Sequence, residues 1–301
     1  MTEAFNRPVL ITKTNQNLPG ILLMIASMAA FAVTDALVKH TSNTMAPSQI
    51  LLLLMVGGLL VFVLLAVIQR EKLLHRSAFS RIMWLRYVAE VVGMIGMVNA
   101  LATVDLSIVG AVSQGTPIFV TLCAVIFLGE TISWRRLTSI ICGFLGVLII
   151  VRPGGEQFDV AVLWTLVALV GMGVRDLTSA VIPRQIASSV IAAYTMIAAI
   201  PFAVAWTLAS GLPIVSDNLD YTVVVPMVVL GSVGYLLIIT SMRIAPISVV
   251  IPFRYSRVLF LLLLGVVFFG ERPDVWTLVG ATIVVCSGLY IWWREQHSNK
   301  A

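Results

Sequence analysis

Ten apolar runs of about 20 residues succeed one another along this chain, at approximately 18–39, 46–68, 81–103, 106–128, 134–151, 159–182, 187–209, 221–243, 247–269 and 274–293. The hydrocarbon core of a bilayer is about 30 Å thick and takes about 20 helical residues to cross. No water reaches the backbone there, so a crossing segment must satisfy its own N–H and C=O groups, which a helix does. The pattern predicts an all-α integral membrane protein of ten transmembrane helices. Stop signals stand near the ends of the runs at Pro47, Gly129, Pro153, Pro213, Pro246 and Pro273. Composition agrees: 59% of residues are hydrophobic and 11% charged, with a mean hydropathy of +1.03. A soluble domain carries about 25% charged residues.

Lysine and arginine in the loops orient the chain. With the N-terminus inside, the cytoplasmic segments hold Arg7, Lys13, Arg70, Lys72, Arg76, Arg81, Arg135, Arg136, Arg184, Arg243, Arg294 and Lys300. The other side holds Lys39, Arg152 and Arg272. Twelve against three predicts a multi-pass protein of the cell inner membrane with both termini cytoplasmic. The seven tryptophans fall at or near predicted helix ends, where amphipathic rings settle. Residues 1–17 form a polar tail. The run that follows is too long for a signal-peptide core and lacks a small-residue cleavage site, so it reads as a retained first helix.

Several function classes are disfavoured. The net charge of +5 comes from scattered loop residues, not a continuous basic patch, so nucleic acid is not an expected partner. Cys123, Cys142 and Cys286 lie inside apolar runs, and His40, His75 and His297 are far apart. Neither set has metal-ligand spacing, so no metal or other cofactor is expected. The G-x-x-x-x-G-K-[ST] loop of ATP hydrolysis is absent from the sequence.

A shift of 141 residues superimposes the two halves without a gap. Asp35 then meets Asp176, Ser48 meets Ser189, Gly93 meets Gly234 and Ser107 meets Ser248. Gly129-Glu130 meets Gly270-Glu271, and Phe119, Leu122 and Phe127 meet Phe260, Leu263 and Phe268. Apolar coincidences are cheap in such a composition, whereas matches at Asp, Ser and Gly-Glu at one offset are not. The expected organisation is an N-terminal tail (1–17), a five-helix repeat (18–151), a second five-helix repeat (159–293) and a C-terminal tail (294–301). Five is odd, so the second repeat enters the membrane from the opposite side. Two inverted repeats suit alternating access, because exchanging their conformations turns an inward-open state into an outward-open one.

Charges at membrane depth cost at least a few kcal/mol unless paired or hydrated. Asp35, Arg86, Glu90, Arg175, Asp176, Arg254 and Arg257 are so placed. In the ninth span Pro252 frees a carbonyl, and Arg254 and Arg257 follow at i, i+3 on one face, with Tyr255 and Ser256 beside them. The corresponding stretch of the fourth span, Ser113-Gln114-Gly115-Thr116-Pro117, is the longest polar run inside any span. Two polar interruptions at equal depth in related helices point to one midplane cavity. Arg254, Arg257, Tyr255, Ser113, Gln114, Thr116, Glu90 and Arg86 are its expected substrate-binding residues. Glu90 has two readings: a local i, i+4 pair with Arg86, or a partner for Arg254 or Arg257 until substrate arrives. Asp35 near the outer face and Asp176 near the inner face are expected gates, with Lys39 and Arg175 as counter-ions. Asn99 and Tyr235 are further polar candidates. Glu130 and Glu271 read as helix-end residues, each after a C′ glycine, with Ser133 or Asp274 capping the next helix.

These features together resemble the drug/metabolite transporter superfamily, EamA type. The resemblance is carried by Gly129-Glu130-Thr131-Ile132-Ser133-Trp134, Gly270-Glu271-Arg272-Pro273-Asp274 and Asp35-Ala36-Leu37-Val38-Lys39, and covers about residues 18–293. Ile251-Pro252-Phe253-Arg254-Tyr255 is also similar to a segment of S-adenosylmethionine, riboflavin and related metabolite carriers. The resemblance implies a secondary active transporter of a small organic metabolite, such as an amino acid, a vitamin or a drug-like solute. The expected partners are that small-molecule substrate and the lipid bilayer, with a proton as candidate coupling ion, and the protein is a monomer or a homodimer. The alternatives are a membrane-embedded enzyme and a receptor or assembly subunit. An enzyme needs clustered acids or histidines, and the intramembrane acids here are spread over three spans.

Overall fold

The computed structural model describes residues 17–72, 76–128, 134–152, 159–180, 187–216, 219–245 and 250–298. Among them every regular element is helical. The helices are α1 Asn17–Thr41, α2 Pro47–Ile68, α3 Arg81–Thr103, α4 Leu106–Ser113, α5 Thr116–Leu128, α6 Trp134–Val151, α7 Leu163–Ala180, α8 Ser188–Ala209, α9 Tyr221–Ile244, α10 Ser256–Phe269 and α11 Val275–Ser298. Among the described residues six helices are long and apolar enough to cross a membrane, and shorter apolar helices accompany them. The outward surface is apolar: Leu60, Leu259, Phe268 and Val275 are all largely exposed. A soluble protein would not tolerate so continuous an apolar coat, whereas lipid is its natural solvent.

Local chemistry explains where the helices start and stop. Pro47 opens α2, where its missing N–H costs nothing, and Gln49 folds back to accept from the Ala46 N–H at 3.3 Å. Ser80 and Asp220 cap α3 and α9 by accepting from the Met83 and Thr222 N–H groups. Gly270 ends α10 in the left-handed region, φ 64°, and Asp274 caps α11 through the Thr277 N–H at 2.8 Å. The expected capping roles of Gly270 and Asp274 are therefore observed. Gly129, Glu130 and Ser133 lie outside the described residues.

The fourth and ninth spans depart from continuous helices. The fourth is broken between α4 and α5 at Gln114-Gly115, and in the ninth a tight 3-10 turn, Ile251–Tyr255, runs directly into α10. The offset of 141 residues carries the first break onto the junction of the second. Polar residues and a nearby proline weaken the helical ladder at both places.

Packing follows the same symmetry. The most extensive pairings are α1 with α9, α3 with α7, α6 with α11 and α2 with α8. The offset maps α1 onto α7 and α9 onto α3, so the first two pairings are one contact formed twice. It maps α2 onto α8 and α6 onto α11, so those pairs sit on the pseudo-two-fold axis. Small residues permit the closest approach: a Cβ on Gly171 would lie 2.5 Å from Gly93 Cα, and one on Gly96 would lie 2.5 Å from Ala168 N. Between α1 and α9 the hydroxyls of Ser27 and Ser241 donate to the Gly234 and Gly20 carbonyls, each at 2.6 Å. Such hydroxyl bonds and small-residue contacts take the place of a hydrophobic driving force between helices in lipid.

Candidate functional site

A cavity of about 390 Å³ lies between the halves, walled by α1, α2, α3, α7, α8, α9 and the two broken spans. Pockets that hold small organic molecules run from about 300 to 1,000 Å³, so this one is large enough for a metabolite. Eleven of the residues singled out above line it: Asp35, Arg86, Glu90, Ser113, Gln114, Thr116, Arg175, Asp176, Tyr235, Arg254 and Arg257. Residues distant in sequence meet here because the α3–α7 and α1–α9 pairings bring their charged faces onto one space.

The charges are joined in two groups. On one side Arg257 donates from Nε and Nη2 to Asp35 Oδ2 at 3.1 and 2.5 Å, and its guanidinium stands 5.5 Å from the centre of the Phe31 ring. On the other side five residues form a chain. Arg86 Nη1 donates to Thr195 Oγ1 at 2.6 Å, and its Nη2 lies 3.7 Å from Glu90 Oε2. Arg175 bonds Glu90 Oε1 at 3.0 Å and holds Asp176 Oδ1 through Nε and Nη2 at 3.0 and 2.8 Å. Arg254 Nη2 stands 4.0 Å from Asp176 Oδ2. Burying any one of these ions alone would cost several kcal/mol, and alternation of sign offsets that cost.

Several expectations need correction. Glu90 pairs with Arg86 and Arg175, not with Arg254 or Arg257, because α3 packs along α7 and presents Glu90 to it. Tyr255 does not line the cavity. It is buried against α11, with its hydroxyl where a side chain at Gly288 would begin. Lys39 is not the counter-ion of Asp35: its ammonium donates to the Val104 carbonyl at 2.6 Å and lies 3.5 Å from Glu271. Arg175 is the counter-ion of Asp176, as expected. Both acids, Asp35 and Asp176, open onto this one cavity. Asn99 turns its amide to the Ile95 carbonyl on its own helix. Tyr235 does line the cavity, edge-to-face with Phe62.

Glu271 does more than end a helix. Its carboxylate accepts from the Leu106 N–H at 2.7 Å, the Ser107 N–H at 3.0 Å and the Ser107 hydroxyl at 2.7 Å. It therefore caps α4, in the other repeat, from a distance of 165 residues. Asp105, which holds the N-cap position of α4, makes no side-chain cap of its own. Only the packing of α4 on α10 could reveal this.

Sequence reasoning missed the apolar wall. Met28, Met55, Met94, Met97, Met172 and Met196 all line the cavity. In a sequence of this composition a methionine in a span is indistinguishable from one facing lipid. Thr195 was missed for a related reason: a threonine in a span ordinarily bonds its own helix, and Thr195 also does so, to the Ile191 carbonyl.

Comparisons with known proteins agree with this picture. The model of the EamA-like transporter family matches twice, over residues 18–152 and 159–293. The S-adenosylmethionine uptake transporter of Rickettsia felis is 26% identical over 212 residues, 68% of this chain and 69% of that protein. The riboflavin transporter of Brucella anthropi is 24% identical over 92% of this chain and 99% of its own. The pseudopaline exporter of Pseudomonas aeruginosa is 25% identical over 88% and 93%. A solved crystal structure superposes with a TM-score of 0.61 at 16% identity, over 90% of this chain and 95% of that one, which is a likeness of fold. With the family model matching both halves around a shared cavity, this multi-pass membrane protein belongs to the EamA-like transporter family.

Proposed function

We propose that the protein is a secondary active transporter that moves a small organic metabolite across the inner membrane by alternating access of its two repeats. The observation that carries the reading is the cavity at the repeat interface, whose wall contains both helix breaks and seven charged side chains. Broken helices at such an interface are how carriers present backbone and charge to a solute without exposing either to lipid. The relatives named above move chemically different solutes, which supports the class of substrate and not one member of it.

In this reading ten spans, 18–151 and 159–293, stand in two inverted repeats with the tails 1–17 and 294–301 in the cytoplasm. Arg254, Ser113, Gln114 and Thr116 meet the solute. Arg257–Asp35 and Arg175–Asp176 are the pairs that loosen and re-form as access changes, with a proton as the candidate coupling ion. Purified protein in liposomes tests the reading by counterflow: a radiolabelled solute should accumulate transiently against its unlabelled form, without ATP. Absence of counterflow across a panel of amino acids, riboflavin, S-adenosylmethionine and aromatic acids would remove the transporter assignment.

A further inference from the structure

The cavity's charges are unequal. Among its described lining residues four arginines face three carboxylates. Asp35 and Arg257 cancel as a closed pair. The remaining chain runs Arg86, Glu90, Arg175, Asp176, Arg254, alternating in sign and ending in an arginine at both ends. The Arg86 end is sealed: its side chain is 6% exposed and bonds Thr195 at 2.6 Å. The Arg254 end is open, 31% exposed, with its 4.0 Å approach to Asp176 the longest contact in the chain. Asp176 already gives its other oxygen to Arg175 at 2.8 Å.

We infer that the transported solute carries an acidic group, carboxylate or phosphate, which docks on Arg254 as the sixth member of this alternating chain. The inference rests on the transport reading and names its substrate class. Arginine does not release its charge, so the surplus must be met by an anion or by water. A planar guanidinium binds a carboxylate or phosphate through two parallel N–H donors. A second, independent observation lies in the same wall. The Ser113 hydroxyl is buried and finds no hydrogen-bond partner among the described residues. Ser113 is the residue that the offset of 141 places opposite Arg254, so a spare donor and a spare cation occupy equivalent positions in the two broken spans. The methionines and Phe31 supply a polarisable apolar wall for the rest of the solute. The substrate is thus an organic acid or a zwitterion with an apolar body, and not an organic cation.

Benzoate, benzamide and benzylamine share one ring and differ in charge, and all are small enough for the cavity. The experiment measures thermal unfolding of the purified full-length protein by tryptophan fluorescence with each probe at millimolar concentration. Benzoate should raise Tm by about 3 °C, and benzamide and benzylamine by less than about 1 °C. Arg254→Gln should abolish the benzoate response, and Arg254→Lys, which keeps the charge without the fork, should retain a reduced one. Replacing benzoate by phenyl phosphate separates a carboxylate preference from a phosphate preference, either of which fits an acid on Arg254. An equal response to benzamide, a larger one to benzylamine, no response to benzoate, or a full benzoate response in Arg254→Gln each overturns the inference. The wild-type comparison needs no variant to fold. Loss of acid selectivity with counterflow intact removes only the substrate class, whereas loss of counterflow with acid selectivity intact removes only the transport reading.

Discussion

Arg254 and Arg257 stand one helical turn apart in sequence and have different surroundings. Arg257 makes two bonds to Asp35 and stacks on Phe31, which ties the ninth span to α1. Asp35→Asn leaves that guanidinium buried without its counter-charge, so stability should fall by about 3 kcal/mol. Asp35→Asn combined with Arg257→Gln removes both ions, and the double variant should recover most of the loss in thermal unfolding. A double variant no more stable than the single would show that the pair is not an interaction unit. Arg257→Lys gives up the second donor and the ring contact and should cost about 1–2 kcal/mol. Arg254→Lys should leave Tm within about 1 °C while weakening substrate binding, because the nearest carboxylate, Asp176, is already 4.0 Å away. The charged residues of this network were legible in the sequence as ions too deep to be incidental. Their pairing was not, because partners such as Glu90 and Arg175 are 85 residues apart and the sequence allows several other pairings of the same charges.

Among the helices, two features couple the repeats. The first is the Glu271 cap on α4. Glu271→Ala would leave the Leu106 and Ser107 N–H groups without their acceptor and Lys39 without its counter-charge, at a cost of about 2–3 kcal/mol. Glu271→Gln keeps one acceptor oxygen and should cost about half as much, and chemical or thermal unfolding in detergent ranks the two. Equal stability of Glu271→Ala and the parent would assign the cap of α4 elsewhere. The second is the glycine contact between α3 and α7. Alanine is favoured over glycine in a helix by about 1 kcal/mol, so a helical Gly→Ala change stabilises wherever space allows. At Gly58 the nearest atom to an added Cβ is the flexible Met196 sulphur at 3.4 Å, and stability should hold or rise. At Gly171 the added Cβ meets the backbone of Gly93, and Gly171→Ala should destabilise by about 2 kcal/mol. The opposite signs of these two changes are the test. The Gly-Glu motif itself was visible in the sequence, whereas the helix that Glu271 serves depended on the approach of α4 to α10.

Over the molecule as a unit, loop residues assigned to one side of the membrane meet one another. Lys39 reaches Glu271, Arg152 pairs with Asp274, and the Gln49 amide donates to the Pro213 carbonyl, all among segments expected outside. Gln69 accepts from the Ser189 hydroxyl between two segments expected inside. The alternation of sides that follows from counting spans is therefore compatible with contacts made at both ends of the bundle. Reporter fusions after residue 301 and in the loops near 75 and 155 should report a cytoplasmic C-terminus, a cytoplasmic loop at 75 and an external loop at 155. A C-terminus outside would end the inverted-repeat scheme. In transport assays Asp35→Asn and Asp176→Asn should both slow counterflow at least tenfold with insertion into the membrane intact, because each removes one half of an ion pair on the cavity wall. Rates equal to the parent in both variants would assign the two acids to structure alone.

Residue order was enough to establish the solvent in which this chain folds, its helical class, its division into related halves and the set of charges that must share an interior. Apolar run length, a gapless offset of 141 residues and the energetic cost of ions in lipid are local or linear properties, fixed before any helix meets another. Which charge neutralises which was settled only by packing, as were the turn of Tyr255 away from the cavity and the capping by Glu271 of a helix in the other repeat. Packing also selected the methionines that face the cavity and the residue left with charge to spare. One cause underlies all of these. In a span both faces are apolar, so the hydrophobic pattern that orients a helix in a soluble protein is missing. Rotation about each helix axis is then set by close contacts, at Gly93 with Gly171 and at Gly96 with Ala168, and those contacts exist only once the helices have met.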